Sequence, residues 1–238
     1  MKIIGIIPAR YGSKRLLAKP LIEINDKPLI QLTYEAVLNS KLFDDIFIAT
    51  DSEKIKNTVS SFGAPCIITS KKNKNGTERC AELIRNKQSD FNDNDLIVNI
   101  QCDEPFIQKN HLKKIIDSFK QNIKISTIIS PIHDAEISDE SIVKINITEN
   151  NFAINFSRQK SNLSDINKNY KHIGIYAYQK KTLLEIASLL PAKRELTEKL
   201  EQLRWLEAGY KISCVFISDN ILSINTKKDV KKVDQKTI

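Results

Sequence analysis

The chain contains no apolar run approaching the roughly 18 residues needed to cross a bilayer. It also lacks any C-x-x-C pair, any G-x-x-x-x-G-K-[ST] loop and any G-x-G-x-x-G turn. Each absence removes a class. Cys66, Cys80, Cys102 and Cys214 are scattered, so neither a zinc knuckle nor a disulfide framework is expected. Cys66, Cys80 and Cys214 read as small buried residues, and Cys102 is a separate case because of its neighbours. The missing glycine loops exclude the two commonest phosphate-binding turns. No repeat and no Gly- or Pro-rich linker divides the 238 residues, which predicts one domain spanning 1–238. The start, Met1-Lys2-Ile3-Ile4-Gly5-Ile6-Ile7, is basic then apolar, but it runs into Pro8-Ala9-Arg10-Tyr11 without a small-residue cleavage site. It reads as a first buried strand, and the expected location is cytoplasmic.

The formal charge is +8. Nucleic-acid binding would need basic residues in a cluster, with aromatics between them. Here the lysines are dispersed along helices and tails, so neither nucleic acid nor a membrane is expected as a partner. A positive field still suits a small polyanion such as a nucleotide.

Apolar runs at 2–7, 45–50, 65–69, 96–101 and 125–129 alternate with helix patterns at 28–40, 52–62, 77–87 and 108–119. In the last of these, Leu112, Ile115, Ile116 and Phe119 share one face. Such alternation predicts βαβ units and a parallel sheet covered on both sides, an α/β fold. The second half differs. Strands are expected at 142–147 and 152–156 around the turn 149–151, then a polar loop over 159–168. A strand at 172–178, helices at 181–190 and 195–208, a strand at 211–217 and a terminal helix after Asn225 follow. Leu196, Leu200 and Leu203 would be the buried stripe of the 195–208 helix. Trp205 reads as packing, and His111 and His133 as surface residues.

In open α/β sheets ligands bind beyond the carboxyl ends of the strands. Those points carry unusual polar groups: Arg10, Gly12, Ser13, Lys14, Arg15 and Lys19 after the first strand, Asp51 after the second, Asp103 and Glu104 after the fourth. Four cations within residues 10–19 around a Gly-Ser turn suit a triphosphate.

The blocks Ile7-Pro8-Ala9-Arg10-Tyr11-Gly12-Ser13-Lys14-Arg15 with Lys19-Pro20-Leu21, Ala49-Thr50-Asp51, Gly76-Thr77-Glu78-Arg79 and Asn99-Ile100-Gln101-Cys102-Asp103-Glu104-Pro105 carry a further message. So do Phe156-Ser157-Arg158, His172-Ile173-Gly174-Ile175-Tyr176 and Leu200-Glu201-Gln202-Leu203-Arg204. Together, in this order over nearly the whole chain, they resemble the CMP-Kdo synthetases, the 3-deoxy-manno-octulosonate cytidylyltransferases. Arg10-Tyr11 stands where the related CMP-sialic acid synthetases have Gly-Gly.

The resemblance implies a Rossmann-like nucleotide-diphospho-sugar transferase fold, with a mostly parallel central sheet and a small β-rich insertion. It implies a nucleotide-binding half at about 1–130, and a sugar-binding, dimerising half at about 131–238. The activity implied is Mg2+-dependent transfer of CMP from CTP to an ulosonic acid by a homodimer, for lipopolysaccharide synthesis. Residue by residue, Pro8, Ala9, Arg10, Tyr11, Gly12, Ser13 and Lys14 would hold CTP together with Asp51, Gly76, Thr77, Arg79 and Gln101. Lys19 and Arg15 would clamp the leaving pyrophosphate. Asp103 would hold magnesium and share it with Asn225. Gln101, Arg158, His172, Tyr176, Glu201 and Gln202 would line the sugar-acid pocket, with Arg158 facing the carboxylate.

Several positions depart from the family pattern. Asn225 replaces an aspartate that is a second metal ligand, and Cys102 replaces a glycine. Leu17-Ala18 replace Pro-Gly, and an Ile-Pro after Arg158 is missing. Three readings follow: an active CMP-Kdo synthetase, a paralogue for a related acid such as an amino-Kdo or a sialic-type acid, or a nucleotide-binding protein with little catalysis.

Overall fold

The structure is a computed structural model that describes residues 1–13, 16–119, 123–159 and 169–234. The first half forms as the apolar runs predict. Strands β1 (Ile3–Ala9), β4 (Asp45–Thr50), β5 (Cys66–Ile68) and β6 (Leu96–Ile100) pair in parallel, with β1 between β4 and β6. A small hairpin, β2 (Glu23–Ile24) and β3 (Lys27–Pro28), precedes helix α1 (Leu29–Ser40). Helices α2 (Glu53–Ser61), α3 (Gly76–Asn86) and α4 (Lys109–Asp117) connect the strands that follow.

Strand direction changes after β7 (Ile125–Pro131) and the short α5 (Asp134–Ile137). The hairpin of β8 (Lys144–Ile147) and β9 (Ala153–Ser157) leads to β10 (Asn169–Gln179), which inserts antiparallel between β6 and β7. Helices α6 (Lys180–Ala187), α7 (Lys193–Glu198) and α8 (Gln202–Glu207) come next. Strand β11 (Ile212–Phe216) then pairs parallel to β7 at the sheet edge, and α9 (Lys227–Asp234) follows. The sheet order is β11-β7-β10-β6-β1-β4-β5. The sheet is therefore mixed, parallel in its first-half strands, with β8 and β9 as the β-rich addition beside β10.

Alternate residues of each strand feed two cores. Ile7, Val98, Ile100, Ile175 and Ala177 pack under α1, α2 and α4, whereas Ile4, Ile6, Ile97, Tyr176 and Tyr178 pack under α3, α6 and α8.

Three expectations are corrected. The 195–208 helix is two helices, broken at Lys199, whose φ of 56° is left-handed. The break turns Leu196 outward, 67% exposed, while Leu200 and Leu203 stay buried. It also places Glu201 and Gln202 at the start of α8. His111 is not a surface residue but 1% exposed. Its Nδ1 accepts the Gln108 N–H at 3.2 Å, and its Nε2 lies 2.7 Å from Asp219. Cys66 is half-buried, whereas Cys80 and Cys214 are buried as expected, and Cys102 is buried too. Most of the 159–168 loop lies outside the described residues.

Candidate active site

The cleft opens where β1 and β6 end, beside the first half of β10. Gln101, one residue past β6, donates its backbone N–H to Gly174 O at 3.1 Å, so the ends of these strands share one wall. The cavity has a volume of about 430 Å3. Pro8, Arg10, Gly76, Arg79, Gln101 and Asp103 line it. Arg158, His172, Tyr176, Glu201, Gln202 and Asn225 line the same cavity. Gln101 lies over two glycines. A Cβ on Gly76 would stand 2.5 Å from its Nε2, and one on Gly174 3.0 Å from its Cγ, so a side chain at either position would displace the Gln101 side chain.

The loop after β1 is held from below. Asp51 Oδ1 accepts the Tyr11 N–H at 3.1 Å, and Asp51 Oδ2 accepts from Arg79 Nη2 at 2.9 Å. Arg79 is 2% exposed, and its Nη1 also donates to Thr69 Oγ1 at 2.6 Å. Asp51 thus braces the loop, and Arg79 reaches the cleft wall from a buried ion pair. Ala9 is buried, and Tyr11, Gly12 and Ser13 lie on the loop itself, off the wall of the cavity. Thr77 is 1% exposed and does not line the cavity, its N–H pointing toward Glu201 Oε2 at 3.4 Å. Lys14 and Arg15 lie outside the described residues. Ala18, at the glycine position of the family pattern, has φ 53°, a left-handed conformation that costs an alanine roughly 1–2 kcal/mol.

Lys19 Nζ meets Asp103 Oδ2 at 2.5 Å, joining the end of the β1 loop to the end of β6. Asp103 O accepts the Ile224 N–H at 2.9 Å, which brings the 223–225 segment alongside and sets Asn225 next to Asp103. Asp229 fixes that segment further by accepting the Asn225 and Thr226 N–H groups at 3.1 and 2.8 Å.

Two buried charged side chains stand here: Glu104, expected only as a polar group at the strand end, and Lys171, which was not singled out from the sequence. Glu104 is 4% exposed and accepts from Ser223 Oγ at 2.8 Å and Gly174 N–H at 3.3 Å. Burial, then the neighbouring Asp103, raises its pKa to about 7. Lys171, 4% exposed, donates to Glu136 Oε1, Asn220 Oδ1 and Ile221 O at 3.1, 3.0 and 2.8 Å. It clasps the segment leading to Asn225 from the opposite side. Both stand beside quoted motif residues, Asp103 and His172, and that adjacency was the available signal.

On the acceptor side, Arg158 Nη1 donates to Glu140 O and Ser141 O at 3.1 and 3.2 Å. Tyr176 packs edge-on against Trp205, with centroids 5.1 Å apart. Glu201 has its pKa raised to about 7 by burial, partly offset by the neighbouring polar groups of Thr77.

The tautomer of His172 follows from its partner. Thr127 Oγ1 gives its one proton to Ile175 O at 2.8 Å, so toward His172 Nε2 at 3.0 Å it can only accept. Nε2 therefore carries the proton and Nδ1 is an acceptor. Burial, then the charge of Arg158, pushes the His172 pKa down to about 3. In a 15N-resolved titration of the ligand-free protein, the His172 ring is expected to stay neutral from pH 8 to pH 5. A midpoint above pH 5 would overturn that assignment.

The cytidylyltransferase family model matches residues 4–212. A 3-deoxy-manno-octulosonate cytidylyltransferase of Bacteroides thetaiotaomicron is 40% identical, over 99% of this chain and 98% of its own. An 8-amino-3,8-dideoxy-manno-octulosonate cytidylyltransferase of a Shewanella species is 37% identical, over the same shares. A solved CMP:2-keto-3-deoxy-manno-octonic acid synthetase in complex with CTP superposes with a TM-score of 0.87 at 30% identity, covering 100% of this chain and 98% of that one. With the strand-end loops, the Lys19–Asp103 pair and the acceptor wall in one cleft, the chain belongs to the cytidylyltransferase family, in the group of the CMP-Kdo synthetases.

Proposed function

We propose that this protein transfers CMP from CTP to 3-deoxy-manno-octulosonate, releasing pyrophosphate, as a step toward lipopolysaccharide. The observation that carries the reading is that Asp103, paired to Lys19, lines the same cleft as Arg158, His172 and Gln202. The first group suits phosphates and the second a carboxylated polyol.

The anomeric hydroxyl of the acid attacks the α-phosphorus in line. A new P–O bond forms as the bond to pyrophosphate breaks. Such transfers need positioning and charge neutralisation more than covalent help. Arg10 and Lys19 offset charge on the leaving pyrophosphate, Arg158 and Gln202 orient the acid, and neutral His172 contributes an acceptor nitrogen.

Magnesium belongs to the proposal, and the donor set fits it. Among the described residues no three His, Cys, Asp or Glu side chains form a self-sufficient metal cluster. Magnesium commonly takes one or two carboxylates and completes its shell with phosphates and water. Asp103 and the amide oxygen of Asn225 would hold it, with Lys19 sharing Asp103. When bound, the metal neutralises phosphate charge and favours ionisation of the attacking hydroxyl. With one charge fewer in the shell, Asn225→Asp is expected to lower the half-saturating magnesium concentration by about tenfold, since ligand charge sets affinity in such sites. A magnesium titration of initial rates, with Mn2+ binding followed by electron paramagnetic resonance, checks this. An unchanged dependence would remove Asn225 from the metal shell.

The assignment of nucleotide and acceptor is tested by pyrophosphate release with CTP, UTP and ATP against a panel of acids. The panel includes the 8-amino acid, because relatives for both acids match over nearly the full length. Release with CTP and 3-deoxy-manno-octulosonate is expected. Equal rates with other nucleotides, or with hexose 1-phosphates as acceptors, would sink the reading. A homodimer, and a division of labour between residues 1–130 and 131–238, complete the proposal. Light scattering of the purified protein tests the first. Among the described residues no helix is long and apolar enough to cross a membrane.

A further inference from the structure

Behind the cleft wall, three buried polar atoms complete no hydrogen bond: Thr77 Oγ1, Asn99 Nδ2 and Tyr178 Oη. Asn99 and Tyr178 are fully buried, and Thr77 is 1% exposed. The fold gathers them. Asn99 on β6 stands opposite Tyr176 on β10, and Tyr178 lies two residues further along on the same face. Thr77 lies in the first turn of α3, which covers that face. Burial pushes the Tyr178 phenol far up, helped by Cys80 and Glu201, while the nearby polar groups of Asn99 and Thr77 pull the other way. Thr77 acts on Glu201 in the same sense.

Unsatisfied buried polar atoms are uncommon, and three in one place call for a reason. Their chemistries agree in a single direction. A carboxamide nitrogen only donates, a phenol or hydroxyl both donates and accepts, and a carboxylate only accepts. Gln101 Nε2 already donates to Asn99 Oδ1 at 3.3 Å. From there Asn99 Nδ2 can donate to Tyr178 Oη, Tyr178 Oη to Thr77 Oγ1, and Thr77 Oγ1 to Glu201. Every donor then has one acceptor, and the two ends, Gln101 and Glu201, are both on the cleft wall.

We propose that Tyr178 is a positioning residue for the transfer reaction: its phenol links Asn99 to Thr77 and so couples Gln101 to Glu201, the chain closing when substrates fill the cleft. This rests on the reading of the cleft as a CTP and sugar-acid site. Tyr178 touches neither substrate.

Tyr178→Phe separates this role from a merely structural one. An isolated orphan hydroxyl, when removed, leaves stability unchanged or improved and kinetics untouched. As the hub of the chain, Tyr178→Phe should keep the wild-type Tm, yet raise KM for both CTP and the acid about fivefold to tenfold with a smaller change in kcat. In the wild type, the effects of Gln101→Ala and Glu201→Gln on the acid's KM should be non-additive, and in the Tyr178→Phe background they should add. Thr77→Val should reproduce Tyr178→Phe and Thr77→Ser should not, which keeps the test alive if Tyr178→Phe does not fold. Unchanged KM values in Tyr178→Phe, or coupling that survives it, would overturn the proposal. Calorimetric CTP affinity, measured without acceptor, reads the Gln101 arm alone. A wild type without turnover would therefore count against the functional reading and not against the hub.

Discussion

Asp103→Asn is expected to lower kcat by about a thousandfold or more, roughly 4 kcal/mol at the transition state, while the protein stays folded and still binds CTP. The substitution is nearly isosteric, and the contact that holds the neighbouring segment, Ile224 N–H to Asp103 O, is made by the backbone and survives. What is lost is the carboxylate that pairs with Lys19 and would hold magnesium. Asp103 and Lys19 are each less than one-fifth exposed, so solvent replaces that charge poorly. Arg10 and the loop braced by Asp51 remain for the nucleotide. Steady-state kinetics, a thermal melt and a CTP titration on one preparation test this. A kcat within tenfold of wild type would place the essential charge elsewhere.

Arg79→Met is expected to act mainly on stability, costing about 3–5 kcal/mol, as breaking one side of a buried ion pair does. The guanidinium is nearly fully buried between Thr69 and Asp51, and its removal strands a carboxylate that also holds Tyr11. For a chain of this length, each kcal/mol lowers Tm by roughly 2–4 °C. Adding Asp51→Asn should restore part of the loss, because the stranded charge disappears with it. Urea unfolding of both single variants and the double variant measures the coupling. A loss below about 1 kcal/mol for Arg79→Met would mean that the pair behaves as a solvent-exposed one.

Strands β1, β4 and β6 were legible because strands buried on both faces read as continuous apolar runs. The direction of β10 was not, since the apolar pattern of a strand is the same whichever way it runs. The break at Lys199 was also hidden. Leu196, Leu200 and Leu203 keep helical spacing across it, and no glycine or proline marks the left-handed residue. The motif residues at the strand ends were visible as polar groups where an open sheet binds ligands. The burial of Glu104 and the whole role of Lys171 escaped because charged side chains are read as solvated unless a partner is known, and their partners come from distant segments. His111 escaped for the same reason: Asp219 lies 108 positions away.

The antiparallel insertion of β10 also governs the order in which the chain can fold during synthesis. Among the described residues, strand β7 pairs with β10 and β11 and with no strand that precedes it, and β6 keeps an open edge until β10 arrives. As the chain leaves the ribosome, β7 therefore waits about forty residues for its first neighbour, with an apolar strand exposed meanwhile. The first 130 residues contain the Asp51 and Arg79 supports of the nucleotide loop, but their sheet continues into strands that come later in the chain. A chimera joined near residue 130 would divide one sheet between two parents.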